Sequence, residues 1–179
     1  REMAMHEPVR FLNSVDNVHE IMMAADMFVL PSLNEGLPTV ALEAQASGLP
    51  FAGGVTPDEA WKLFTAGAVK LVDVRTAEER KFVGLVPDTL HVAWMTGTSL
   101  IRNPRFVREL ESRVGGKDQF VLLLCRSGKR SAAAGEAATK AGFTNVFHVL
   151  EGFEGDRDES QRRGGLGGWR HRGLPWVQD

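Results

Sequence analysis

Three features of the chain predict an α/β fold with a mainly parallel central sheet flanked by helices. Short apolar runs alternate with helix-length amphipathic stretches from residue 56 onward, the order that parallel strands joined by crossover helices require. Helix starts are marked by local signals, above all Thr56-Pro57-Asp58-Glu59. The apolar run Phe120–Leu124 passes directly into a basic, glycine-containing loop and then into a run of alanines, as a buried strand does when it turns into a helix.

Two regions of different texture meet near residues 47–54. In the first, Val9-Arg10-Phe11-Leu12 reads as a strand, and Asp16 caps a helix with Val18, Ile21, Met22 and Ala25 on one face. Met27-Phe28-Val29-Leu30 is a second strand, and a helix from Thr39 to Ser47 stops at Gly48. This N-terminal αβ segment has too few strands to close a core alone.

In the second region Thr56 is an N-cap, Pro57 fits the first helical position and Glu59 completes a capping box. That helix is expected to bury Ala60, Trp61, Leu63 and Phe64 and to end at Gly67. Val69–Val74 is a strand, Thr76-Ala77-Glu78-Glu79 opens a short helix, and His91-Val92-Ala93-Trp94 is a further strand. Asn103-Pro104 starts a helix reaching Val114. The strand Phe120–Leu124, a helix over 130–141 and a strand over 146–150 complete the alternation. The Gly/Arg/Trp-rich tail 152–179 reads as loop anchored by Trp169 and Trp176, with Arg157, Arg162, Arg163, Arg170 and Arg172 solvated. His91 and His148 are expected as satisfied core or edge residues, and His171 as solvated.

With 21 Lys+Arg against 23 Asp+Glu, a net charge of -2, the chain has no general attraction to nucleic acid or to an anionic membrane. No apolar run is long enough for a membrane span and no signal-peptide pattern is visible, so neither a nucleic-acid nor a membrane partner is expected. The single cysteine, Cys125, excludes an internal disulfide and a multi-cysteine zinc site; no metal is expected, and the setting expected is the reducing cytoplasm.

Cys125 ends the Phe120–Leu124 strand and opens the loop Cys125-Arg126-Ser127-Gly128-Lys129-Arg130-Ser131. Three cations, a glycine that relieves the tight curl, and a helix N-terminus opening at Arg130 or Ser131 gather around one sulfur. Such surroundings stabilise a thiolate and cradle an anion carried on it.

That loop resembles the active-site loop of the rhodanese (thiosulfate sulfurtransferase) family. Leu71-Val72-Asp73-Val74-Arg75 is similar to the family's first conserved strand, and Gly84-Leu85-Val86-Pro87 to its Gly-His-Ile-Pro segment, with Leu85 in place of the histidine. Gly142–Val146, Leu150–Phe153 and the closing Gly168-Trp169 and Gly173–Trp176 also match, so the resemblance spans residues 49–179 as a rhodanese-like domain. It implies that Cys125 takes a sulfane sulfur from a small anionic donor such as thiosulfate and passes it to cyanide or a thiol. The sulfur then travels as a covalent persulfide, with no separate cofactor. It also implies that Arg126, Ser127, Gly128, Lys129 and Arg130 bind the donor, with Arg126 and Lys129 reading its charge. Asp73, Arg75 and Ser131 are implied as support, Asp73 accepting hydrogen bonds that brace the loop.

A second implied role is a sulfur-relay or interaction module served by a protein partner. Related phosphatases carry five residues between cysteine and arginine; the four between Cys125 and Arg130 suit a persulfide better than a phosphate. Residues 1–48 form a separate segment. Phe28–Ser32 and Glu35–Ala44 resemble the donor-binding half of GT-B retaining glycosyltransferases, whose paired glutamates match Glu35 and Glu43. This implies a truncated fragment, with nucleotide-sugar binding at Glu35 and Glu43 as its residual role.

Overall fold

The computed structural model describes residues 53–178. The elements expected between residues 9 and 48, Glu35 and Glu43, and the joint at residues 48–49 lie outside the described residues.

Along the chain run β1 (Gly54–Val55), α1 (Pro57–Thr65), β2 (Lys70–Asp73), α2 (Ala77–Val83), β3 (Leu90–His91), β4 (Met95–Thr96) and β5 (Ile101–Arg102). Then follow α3 (Phe106–Val114), β6 (Val121–Leu124), α4 (Lys129–Lys140) and β7 (Val146–Val149). The main sheet has the order β1-β7-β6-β2-β3, and every pairing in it is parallel. The α/β architecture expected from the alternation is the one observed.

The capping boxes work as their residue types demand. Glu59 donates its amide to the Thr56 side chain at 3.4 Å while its carboxylate accepts from the Thr56 amide at 2.7 Å. Thr76 and Glu79 repeat the arrangement at the start of α2. Of the four apolar residues expected inside from α1, only Ala60 is fully buried; Trp61, Leu63 and Phe64 are half-buried against the sheet.

Two other expectations are corrected. The strand read over His91–Trp94 is the shorter β3, after which the chain leaves the sheet and forms the antiparallel hairpin β4–β5. The helix expected from Asn103-Pro104 starts at Phe106, because Asn103 closes a turn first: its side-chain oxygen accepts from the Arg105 amide at 2.9 Å.

Strand alternation divides the core between the two faces of the sheet. Val72, Val74, Val121, Leu123 and Cys125 lie with Phe106 and Leu110 of α3 and with Ala134 and Ala138 of α4. Leu71, Leu122 and Leu124 lie on the other face with Ala60, Phe153 and Trp169. The thiol therefore sits on the α3–α4 side, at the carboxyl end of a central strand.

Arg157, Arg162, Arg170 and Arg172 of the tail are exposed, as expected, yet the tail is also stapled to the domain. Arg172 holds Glu151 and Asp58, Arg163 donates to the Gly155 carbonyl at 2.5 Å, and Arg170 stacks on Trp176. Trp169 is fully buried, donates its indole N–H to the Pro175 carbonyl at 2.9 Å and meets Trp61 edge-on. Leu85 and Val177 exchange backbone bonds at 2.8 Å, tying the tail to the segment after α2. Trp169→Ala is expected to lower the unfolding free energy by about 3–5 kcal/mol in chemical denaturation, with Trp169→Phe losing clearly less.

Candidate active site

Cys125 is fully buried and follows the last residue of β6. Register places Leu124 beside Asp73 of β2, so the two strands deliver the thiol and the carboxylate to the same edge of the sheet. The loop after Cys125 is held from below by the turn after β7. Phe153 donates its amide to the Cys125 carbonyl at 2.8 Å, and Glu154 donates to the Arg126 carbonyl at 2.9 Å.

These bonds orient the loop. In a trans peptide plane the C=O and the N–H point in opposite directions. Anchoring the Cys125 and Arg126 carbonyls on the turn therefore aims the Arg126 and Ser127 amides away from it. Among the described residues, no backbone N–H from Arg126 to Ser131 has a protein acceptor; the first helical amide that does is Ala132, bonded to Gly128 O at 3.0 Å. A run of oriented, unsatisfied amides beside a thiol is a nest for an anion.

Glycines make the close fit possible. A Cβ on Gly152 would lie 2.5 Å from the Cys125 carbonyl oxygen, and one on Gly128 would lie 2.0 Å from that of Leu150. Gly128 has φ +86° and forms the N-cap of α4, so the helix begins at Lys129, earlier than the expected Arg130 or Ser131. Ser131 is buried under the loop, its hydroxyl 2.9 Å from Gly128 O and 3.3 Å from Cys125 Sγ. That hydroxyl has one proton to share between the carbonyl and the sulfur.

The three loop cations have different fates. Arg130 forms a two-pronged pair with Glu79 of α2, at 2.7 and 2.6 Å. Burial opposes the charge on both partners. The hydrogen bonds and charges between them win, so the Glu79 carboxyl is held below its ordinary range and the Arg130 guanidinium above its own. Lys129 is exposed, its ammonium 3.9 Å from the likewise exposed Asp156, a loose contact that leaves it free to move in solvent. Arg126 is in no ion pair among the described residues, and its Nε is buried without a partner. Burial, followed by the charges of Arg126 and Arg157, pushes the Arg163 guanidinium below its usual value.

Asp73 and Arg75 are both fully buried. Asp73 accepts from the Arg75 amide at 3.0 Å and from its side chain at 2.7 Å, and Arg80 lies 3.5 Å away. Asp73 does not bond the cysteine loop directly. Its support is relayed: Arg75 also donates to Gly84 O at 2.8 Å, and its guanidinium lies over the Phe153 ring at 4.0 Å, on the residue that anchors Cys125. His91 bonds the Arg75 carbonyl at 2.8 Å, as expected of a satisfied edge histidine. Burial pushes His148 down, against a backbone bond to Gly128. His171 is exposed, with Nδ1 3.1 Å from Gly164 O.

Comparison with known proteins decides the family. The model described as Rhodanese-like domain matches residues 56–159. The chain belongs to the rhodanese-like family. Thiosulfate sulfurtransferase 16, chloroplastic, of Arabidopsis thaliana is 31% identical over 134 residues, covering 74% of this chain and 97% of that protein. The crystal structure of Rv0390 from M. tuberculosis superposes with a TM-score of 0.64 at 40% identity, covering 72% of this chain and 99% of that one. The N-terminal segment matches a second model, Glycosyl transferases group 1, over residues 1–87. There the putative glycosyltransferase EpsF of Bacillus subtilis is 52% identical over 50 residues, 28% of this chain but only 13% of that protein. The two matches overlap at 56–87, where the structure shows α1, β2 and α2 built into the rhodanese-like domain, β2 pairing with β6. The family supports a sulfurtransferase-type or rhodanese-domain role.

Glu79, Gly152 and Phe153 are not among the expected site residues, yet each carries a signal: Glu79 is the acid of a Thr76 capping box, and Gly152 and Phe153 lie in the Leu150–Phe153 stretch that resembles the family. The lowered pKa of Glu79 makes a pH prediction. The stability it contributes is fully present above its unfolded value of 4.5 and is lost as pH falls through the folded value. Glu79→Gln is expected to cost about 1.5–3 kcal/mol at pH 7. The gap between variant and parent should narrow as unfolding is repeated at successively lower pH below that value.

Proposed function

We propose that this chain is a sulfurtransferase that moves a sulfane sulfur through a persulfide on Cys125. The observation that carries the reading is the loop of acceptor-free amides from Arg126 to Ser131 beside a buried thiol at the carboxyl end of a central strand. In the forward step the Cys125 thiolate attacks the outer sulfur of thiosulfate or a similar donor. The donor S–S bond breaks, sulfite leaves with the electron pair, and Cys125 carries the new S–S bond. Cyanide or a thiolate then attacks the terminal sulfur, and the Cys125 thiolate leaves with the electrons of that bond. No oxidant or reductant enters either step.

The residues divide the work. The Arg126–Arg130 amides hold the anionic terminal sulfur, Gly128 lets the loop curl, and the Ser127 amide points the same way as that of Arg126. Arg126, in no ion pair among the described residues, and the exposed Lys129 draw in the donor, while the Arg130 side chain is held by Glu79. The Ser131 hydroxyl turns from Gly128 O to Sγ when the thiol ionises, giving the thiolate a donor at 3.3 Å without a general base. This chemistry uses nothing from Glu35 or Glu43, and it needs no metal or cofactor besides the persulfide. It is expected to operate in the cytoplasm; among the described residues no helix is long and apolar enough to cross a membrane.

Incubation with thiosulfate is expected to add one sulfur atom to the intact protein by mass spectrometry, removable by cyanide with release of thiocyanate. Cys125→Ser should lose both signals, and turnover surviving in that variant would overturn the reading. Ser131→Ala should keep the fold but slow persulfide formation by about tenfold, because the sulfur loses its hydroxyl donor.

A further inference from the structure

Helix α3 packs Phe106, Leu110 and Val114 into the core and turns Arg105, Arg108, Ser112 and Arg113 outward, all exposed. Arg105, Arg108 and Ser112 follow one another at three and four positions, and Arg113 adjoins Ser112 in the lining of one hollow. They wall an open groove of about 1030 Å³ whose opposite wall is the end of β3, His91 to Ala93. None of the three arginines is in an ion pair among the described residues. Glu109, a carboxylate in the groove, is engaged by the Asn103 side-chain amide at 2.9 Å. A second hollow of about 420 Å³ adjoins at Asn103 and Pro104. It is lined by Trp94 and Val107, with the Arg102 guanidinium 4.6 Å from the centre of the Trp94 ring.

We infer that this groove docks an acidic, extended segment of a partner protein, with carboxylates on Arg105, Arg108 and Arg113 and one apolar side chain in the hollow beside Trp94. Arg105 and Arg108 are three residues apart and Arg108 and Arg113 five, rises of about 4.5 and 7.5 Å that bracket the roughly 6.6 Å repeat of same-side groups along an extended chain. Guanidinium forks suit carboxylates. The net charge of -2 on the whole chain makes the positive groove a local feature rather than part of a general polyanion-binding surface, and the apolar hollow gives a peptide what a nucleic-acid backbone lacks. Val92 and Trp94 share a core cluster with Cys125, so the docked segment lies on the thiol's side of the sheet. That such a partner exchanges sulfur with Cys125 rests on the persulfide reading; the docking itself does not.

The test uses the full chain at low salt and a synthetic octapeptide of glutamates interrupted by one leucine. Titration followed by NMR is expected to shift the amides of Ala93, Val107 and Ser112. Binding should weaken about tenfold in the triple variant R105A/R108A/R113A and about threefold or less in the charge-keeping R105K/R108K/R113K. Persulfide formation from thiosulfate should be unchanged in both. The paired variants R157A/R162A, in the tail, should bind as the parent does. The inference fails if the peptide does not bind, if the alanine and lysine variants bind equally well, or if an oligouridylate of equal charge binds as tightly as the peptide. Loss of persulfide chemistry with docking intact would instead count against the sulfurtransferase reading alone.

Discussion

Two backbone hydrogen bonds govern this site: Phe153 N–H to the Cys125 carbonyl and Glu154 N–H to that of Arg126. They spend the carbonyls of the loop and, through planar peptide geometry, present its amides on the other side. The turn that supplies them must come within van der Waals distance of the loop backbone, and only glycine at 152 allows this. The turn is in turn fixed from behind, where Trp169 donates its backbone amide to the Gly152 carbonyl at 2.8 Å and buries its ring in the core. A residue 44 positions after the cysteine in the chain thereby helps decide how the cysteine loop is oriented.

Charge around the thiol is set by pairing rather than by counting. Three cations follow Cys125 within five residues, yet one is locked by Glu79. Arg130 then acts as a brace between α4 and α2, at the cost of its availability to a ligand. What remains near the thiol to attract an anion is Arg126, the exposed Lys129 and the partial charges of the amides.

Much of this was legible in the sequence because it is local. Thr56-Pro57-Asp58-Glu59 marks its helix by side chains that reach only three residues, and Phe120–Leu124 followed by Cys125 and Gly128 places a strand, a thiol and a turn in one stretch. The family resemblance over 49–179 rests on such stretches and agrees with the matched model. What could not be read is contact between distant segments. Glu79 pairs with a residue 51 positions away and Arg172 with one 114 positions away, and neither spacing leaves a pattern in the chain. The tail arginines therefore looked solvated although most of them make specific contacts. The start of α3 was misplaced because Asn103-Pro104 serves a turn as well as it serves a helix.

A single cysteine also constrains how the cycle can end. Within these 179 residues no second thiol exists to resolve the proposed persulfide as a disulfide, so in that cycle the sulfur leaves on an acceptor outside them. Cys125 is fully buried just past the end of β6, so in the proposed cycle a donor has to enter the loop to reach its Sγ. An acceptor has less far to go, because the proposed outer sulfur stands one S–S bond beyond Sγ. The depth of the thiol therefore favours attack on the outer sulfur over attack on the inner one, which would leave a mixed disulfide.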